Sequence, residues 1–370
     1  MKNLNNLRIT PFTNDEVLKL IRLYQFKGKD FFYETLMKSD LEGIMGLTIE
    51  NECNDFIKFY DIKLTDNRRN LIVRKDATPK TKDEKLITNL KQVLSRFVGD
   101  PLRFELITND IYSMMKMLYA GVDSVSFTSK VVNLQMNLLT EKKKVSSRND
   151  LEDILKRYES LTNSRKYEVT YLIVNFYIDF IHMNIFNRGN DIAGLLLIYA
   201  FLLREGFSLF RYVDFFGLLL KHKEEFNNAV LQADYNYAEG FSKSAPLHML
   251  LIDILIEGYE MVESKLHEYS FDKNVNKTDD IENTIYRLGE IFTKDDIRER
   301  HPLTSESTIN RTLNRLKNEN IIRPNGVGRS ATWIRLVDRE RFNPDVKQIN
   351  LFEAIDSADE DFEADSNDNE

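Results

Sequence analysis

The sequence predicts a mainly helical protein, with a large all-helical body followed by a small unit of helices closed by two short strands. Three observations carry that expectation. Glycine and proline are sparse, 14 and 7 in 370 residues, so few points force a chain reversal. Apolar residues recur at helical spacing, with breaks, from about residue 86 to about 267. Residues 281–336 run helix, turn, helix and then two short β-like stretches around a turn containing two glycines.

In chain order, Leu18, Ile21 and Tyr24 share one helix face, and Asn14 is a fitting N-cap. Residues 65–85 are polar and charged, contain Thr78 before Pro79, and read as a long loop. Residues 1–110 form an expected N-terminal helical lobe, and 111–269 a helical core. The polar stretch 270–279 reads as a linker and 280–338 as a separate small domain. Residues 339–370 have the acidic, apolar-poor composition expected of a disordered tail. No repeat of fixed period is evident.

The formal net charge is −8, but it is unevenly placed. From Asn350 onward there are nine acidic residues and no Lys or Arg, which leaves about +1 for residues 1–349. The acidic balance therefore does not argue against nucleic-acid binding by the body. The single cysteine, Cys53, excludes an internal disulfide. No stretch reaches 18 uncharged apolar residues, and the opening MKNLNNLRIT lacks an apolar core. A cytoplasmic protein with no membrane partner is expected.

In the C-terminal unit, a helix over 281–292 is expected to bury Ile285, Leu288 and Ile291, and a short helix follows over 294–299. Pro302 marks a turn, and Ser305 caps a third helix running to about Asn320. Ile309, Leu313 and Leu316 form its apolar face. Ser307, Asn310, Arg311 and Asn314, with Arg315 beside them, then point outward. These residue types contact phosphates and base edges. Residues 321–323 and 331–336 read as strands about the 324–328 turn, which completes a winged helix-turn-helix. Residues 293–335 hold nine Lys/Arg against five Asp/Glu, and Arg329 at the wing tip is placed to reach a nucleic-acid backbone. Duplex DNA is the expected partner, although such units also bind proteins and exposed charged faces are usually only solvated. Trp333 fits packing beneath the wing better than a stacking platform.

The other informative segment is MNIFNRGNDIAGLLL, residues 183–197. A helix over 171–183 breaks at 186–189, and a second begins at Asn190, a possible N-cap, with Asp191 in its first turn. It runs to Arg204, and Gly206 supplies a stop. Arg188 and the Gly189–Asn190 backbone could form an anion nest at this helix start, or Arg188 could simply be solvated. This segment resembles the loop of Fic (Fido) domains, His-Pro-Phe-x-(Asp/Glu)-Gly-Asn-Gly-Arg-x-x-Arg, aligned on Phe186, Gly189 and Asn190. Gly194 and the leucines after it match the usual continuation. The resemblance implies an all-helical Fic-like domain, and the order of helical lobe, loop, helices and winged helix over about 30–336 is a common bacterial Fic layout.

The departures from that pattern fall on its chemistry. The family's catalytic His falls at Asn184, which cannot act as a general base. Its Mg²⁺-binding acid falls at Arg188, its anion-hole glycine at Asp191, and its phosphate-gripping arginines at Ile192 and Leu195. His182, two residues before Asn184, lies about 200° around a helix and should face elsewhere. A weaker match, Gly46 to Asn51, resembles the family's inhibitory helix through Glu50 and Asn51, but lacks its Ser/Thr at Gly46. The favoured function is a degenerate Fic-domain protein regulating through a DNA-binding winged helix, with the helical body serving self-association or a protein partner. The alternatives are an active adenylyltransferase using ATP at a rearranged site, and a protein-interaction module. The five histidines show no zinc-ligand spacing, and no Walker A or dinucleotide motif occurs, so no metal site is expected.

Overall fold

The computed structural model describes residues 2–7, 12–38, 40–128, 148–272, 277–301, 304–326 and 332–336, excluding the side chains of 267–272 and 277–280. The chain divides into two compact units, Met1–Phe271 and Asp272–Glu370. In the first, residues on both sides of position 110 share one hydrophobic core.

Helix α1 (Asn14–Lys27) is capped by Thr13, not by Asn14: the Thr13 hydroxyl accepts from Glu16 N, and the Glu16 carboxylate accepts from Thr13 N. It buries Leu23 and Phe26, while Leu18, Ile21 and Tyr24 face outward, 65%, 50% and 40% exposed. α2 (Asp30–Met37) and α3 (Leu41–Phe59) follow. The stretch 65–85, expected to be a loop, is mostly helical: α4 spans Asp66–Lys75 and α5 spans Lys82–Gly99. Thr65 and Thr81 cap the two helices by accepting from Arg68 N and Glu84 N. Ile72 and Val73 reach the core. Arg68 clamps the helices together through Glu84, at 2.8 Å and 2.6 Å. One narrow buried stripe on a polar helix looks like a loop by composition, and the neighbouring helix is what makes it fold.

α6 (Thr108–Leu118) and α7 (Arg148–Ser164) flank the centre, which is the pair α8 (Val169–Met183) and α9 (Asn190–Arg204). Every residue of α9 from Ile192 to Leu203 is buried, as expected for a helix apolar all round. At about 1.5–3 kcal/mol per large apolar side chain, this pair makes a large contribution to the core. Gly194 lets the two helices meet, since a Cβ there would lie 2.8 Å from Tyr177 Cε2. Buried Asp179 on α8 accepts from the backbone N–H groups of Lys2, Asn3 and Leu4 and from the Tyr237 hydroxyl, at 2.7–3.0 Å. Both of its oxygens are thereby satisfied. Gly206 ends α9 in the left-handed region (φ 83°), with Phe207 N donating to Leu202 O. α10 (Phe215–Lys221), α11 (Lys223–Asp234) and α12 (Ala245–Asp272) complete the unit. Buried Glu52 of α3 accepts from Phe215 N and Phe216 N at the start of α10.

In the second unit α13 spans Lys277–Arg287, so Ile291 and Phe292 are not helical. They form β1, which pairs with β3 (Thr332–Arg335). A two-residue strand has no periodicity to detect, and it forms because β3 offers a free edge. α14 (Lys294–Arg300) and α15 (Glu306–Asn318) precede β2 (Ile322–Asn325), and the antiparallel sheet order is β1-β3-β2. Ile281, Ile285, Phe292, Ile297, Ile309, Leu313, Leu316 and Trp333 build its core. Helices α12 and α13 take up most of the expected linker 270–279. The tail 339–370 and Arg329 lie outside the described residues. Among the described residues no helix is long and apolar enough to cross a membrane.

Candidate functional site

The loop between α8 and α9 is built by its own asparagines. Asn184 ends α8 in the left-handed region (φ 47°), a conformation Asn tolerates better than most residues. Ile185 and Phe186 then turn inward and are buried. The Phe186 ring stacks on Phe127 at 5.4 Å and on Tyr112 at 6.4 Å. Asn190 is the first residue of α9, and Gly189 (φ 66°) holds the cap position before it. The Asn190 side chain closes the loop: Oδ1 accepts from Phe186 N at 2.9 Å, and Nδ2 donates to Phe186 O at 2.7 Å and Asn184 Oδ1 at 2.8 Å.

A second segment lies along this loop. Phe127 and Phe186 form an antiparallel bridge, Thr128 N donates to Ile185 O, and Asn187 N donates to Ser126 O. The Asn187 side chain bonds Ser126 N and Ser124 O. Arg188 is ion-paired with Asp123. Sequence reasoning missed Asp123, Ser126 and Phe127. Their only local signal is the apolar-polar-apolar run Val125, Ser126, Phe127, too short to stand out.

Tyr119, after the last turn of α6, stands directly over Gly189: a Cβ at position 189 would lie 2.8 Å from its ring carbon Cε2. Burial pushes the hydroxyl pKa values of Tyr60, Tyr119 and Tyr177 up, and the Asp191 carboxylate adds to each shift. The start of α9 is therefore surrounded by neutral phenols and carries its own acid. His182 stacks on Tyr237 at 3.5 Å and pairs with Asp234 at 2.9 Å, in keeping with a packing role. Glu50 pairs with Arg74 of α4, its nearest oxygen 3.7 Å from Nε, and Asn51 beside it is half-buried.

In the second unit, Ser305 caps α15 by accepting from Thr308 N at 3.2 Å, and its hydroxyl also meets that of Ser307 at 2.8 Å. With Ile309, Thr312, Leu313 and Leu316 buried, the opposite face presents Ser307, Asn310, Arg311 and Asn314 along a shallow polar groove. Arg311 and Asn314 are exposed. Arg315 also lines the groove, but its guanidinium is held by Glu282 at 2.5 Å and by Glu319 at 3.2 Å. Among the described residues no group of three or more His, Cys, Asp or Glu side chains could hold a metal ion.

No family model matches the chain, and no curated protein matches it in sequence. Solved structures do match. A Fic domain containing signaling protein from Bacteroides thetaiotaomicron VPI-5482 superposes with a TM-score of 0.52 at 15% identity, over 65% of this chain and 95% of that one. A Fic family protein from Desulfovibrio desulfuricans G20 aligns over 89% of this chain and 98% of that one, at 12% identity and a TM-score of 0.49. The chain has the Fic-domain fold, with a small additional C-terminal domain.

Proposed function

We propose that this Fic-fold protein regulates by binding duplex DNA through its C-terminal unit, and that its α8–α9 loop has lost nucleotide transfer. The observation that carries the reading is the outward face of α15. Ser307, Asn310, Arg311 and Asn314 line one groove on a helix whose other face is buried. The order helix, strand, helix, helix, strand, strand supports a winged helix, with α15 as the element that enters the major groove. Asn and Arg pair bidentately with adenine and guanine edges. Ser307 and the lysines and arginines nearby suit phosphates.

The loop supports the second half of the proposal. At the position resembling the family's general base, Asn184 has no titrating group and binds Asn190 instead. Where that resemblance calls for a Mg²⁺-binding acid, Arg188 places a cation already engaged by Asp123. The phosphates of ATP would need backbone N–H groups free at the start of α9, and there Tyr119 and the Asp191 carboxylate stand instead. These residues do not fit Mg²⁺-ATP.

The test is fluorescence anisotropy of the full chain with labelled duplexes across a salt series. Affinity should fall steeply with salt, and Arg311→Ala should weaken it. An absent or salt-independent interaction refutes the DNA reading. Separately, incubation with labelled ATP, Mg²⁺ and lysate should transfer no label. Transfer abolished by Asn184→Ala or Arg188→Ala would show that the loop is active.

A further inference from the structure

Seven of the large hydrophobic residues most exposed in the structure fall between positions 12 and 32. Six of them follow one helical stripe. Val17, Leu18, Ile21 and Tyr24 lie on α1, and Phe31 and Phe32 on α2. Between the two helices Gly28 (φ −63°, ψ −17°) and Lys29 (φ −90°, ψ −2°) keep right-handed helical angles. The helical ladder is interrupted at the join, where Lys29 N donates to Phe26 O, but the buried positions keep to one side of both helices. Leu23, Phe26, Tyr33 and Met37 are buried on the opposite side. Gly28 sits exposed in the middle of the stripe, where an added Cβ would meet only carbonyls of its own helix.

Phe31 is 81% exposed, Leu18 65% and Phe32 58%. With Val17, Ile21 and Tyr24, the apolar area left open is on the order of 600 Å² by ordinary side-chain areas. A typical monomer's largest apolar patch is about 300–600 Å². Two such faces together would bury about 1,200 Å², above the roughly 1,000 Å² that a specific interface needs. The stripe carries no charge of its own. Along one border Arg22 and Lys29 are already paired with Glu260 and Glu263 of α12, at 2.5 and 2.6 Å. A neutral, apolar face of this size has no handle for a charged partner.

We infer that this stripe is the interface of a homodimer, in which α1 and α2 of one copy pack antiparallel on α2 and α1 of the other. The arrangement of side chains favours a second copy of this chain over another protein. Aliphatics (Leu18, Ile21) occupy one end and aromatics (Phe31, Phe32) the other, so a two-fold axis near Gln25 and Gly28 sets Ile21 of each copy against Phe32 of its mate. Such a contact is self-complementary and closes at two copies. Gly28 allows the backbones to approach at the axis. This inference does not rest on the DNA reading.

Sedimentation velocity of the full chain without DNA, from roughly 1 to 100 µM, tests it. The wild type should show a concentration-dependent monomer–dimer equilibrium. Ile21→Glu and Phe32→Lys, both at exposed positions, should each sediment as monomers with unchanged far-UV circular dichroism. An equimolar mixture of the two variants should dimerise, because the introduced carboxylate meets the introduced ammonium while the other Ile21–Phe32 contact stays intact. The inference is overturned by a wild type that stays monomeric throughout, by single variants that still dimerise, or by a mixture that remains monomeric.

Discussion

Tyr119 occupies the space that any side chain at position 189 would need. A Cβ on Gly189 would stand 2.8 Å from both Cε2 and Cζ of its ring, and the backbone there is left-handed (φ 66°). Gly189→Ala should therefore destabilise the first unit by roughly 1–3 kcal/mol, through both strain and overpacking. In a Tyr119→Ala background the same change should cost clearly less, because only the backbone term remains. Urea melts of the four variants, followed by far-UV circular dichroism, measure the coupling. Equal costs in both backgrounds would show that Tyr119 does not hold the loop.

Glu168 caps α8 with four donors: Tyr171 N, the Thr170 and Tyr24 hydroxyls, and His248 Nε2, at 2.6–3.1 Å. Burial works against its charge, but the hydrogen bonds, led by that from His248, outweigh it and pull the carboxyl down to about 2. A depressed folded value contributes stability that is present above the unfolded pKa and lost as pH falls towards about 2. Glu168→Gln should cost on the order of 2–3 kcal/mol at pH 7, and the difference from wild type should shrink steadily below pH 4. A cost independent of pH would point to lost packing alone.

Asp214 behaves in the opposite sense. Burial, and then the hydrogen bond and charge of Asp55, push its carboxyl up to about 6. A folded value above the unfolded one means that the native state binds the proton more tightly. Its contribution to stability is then full below about pH 4 and is lost as pH rises through about 6. Asp214→Asn supplies a permanent N–H donor towards Asp55, so it should flatten this decline and exceed wild-type stability at pH 8. Paired urea melts at pH 5 and pH 8 decide the point, and a variant weaker at pH 8 would reverse the sign.

What the letters revealed depended on how local the cause was. Ile309, Leu313 and Leu316 were legible as a buried face because one short helix packs as a unit, and Gly206 was legible as a stop because its conformation is its own. The apolar stripe of Leu18 and Ile21 was visible too, yet periodicity could not tell that Leu23 and Phe26 would be the buried face instead. α4 stayed hidden because Ile72 and Val73 are its only fully buried residues. At the loop, Asn184 and Arg188 stood out by their departures from a known pattern. Tyr119, seventy positions before Gly189, could not: nothing in the spacing of the chain shows that α6 ends over the start of α9.

Arg315 is the point at which the proposed DNA interface can be tuned. Its guanidinium lines the α15 groove but is engaged by Glu282 at 2.5 Å and by both Glu319 oxygens at 3.2 Å. A phosphate must compete with the exposed Glu319 carboxylate, whose own pairing is the weaker and longer of the two. Glu319→Gln removes a negative charge from the groove and leaves Arg315 oriented by Glu282. DNA affinity should rise several-fold at low salt, with the plot of log affinity against log salt steepening by about one unit, as one more phosphate is neutralised. Arg315→Ala should cancel that gain in the double variant. If Glu319→Gln leaves both affinity and slope unchanged while Arg311→Ala still weakens binding, Arg315 belongs to the scaffold of α15 and α13 and takes no part in contacting the duplex.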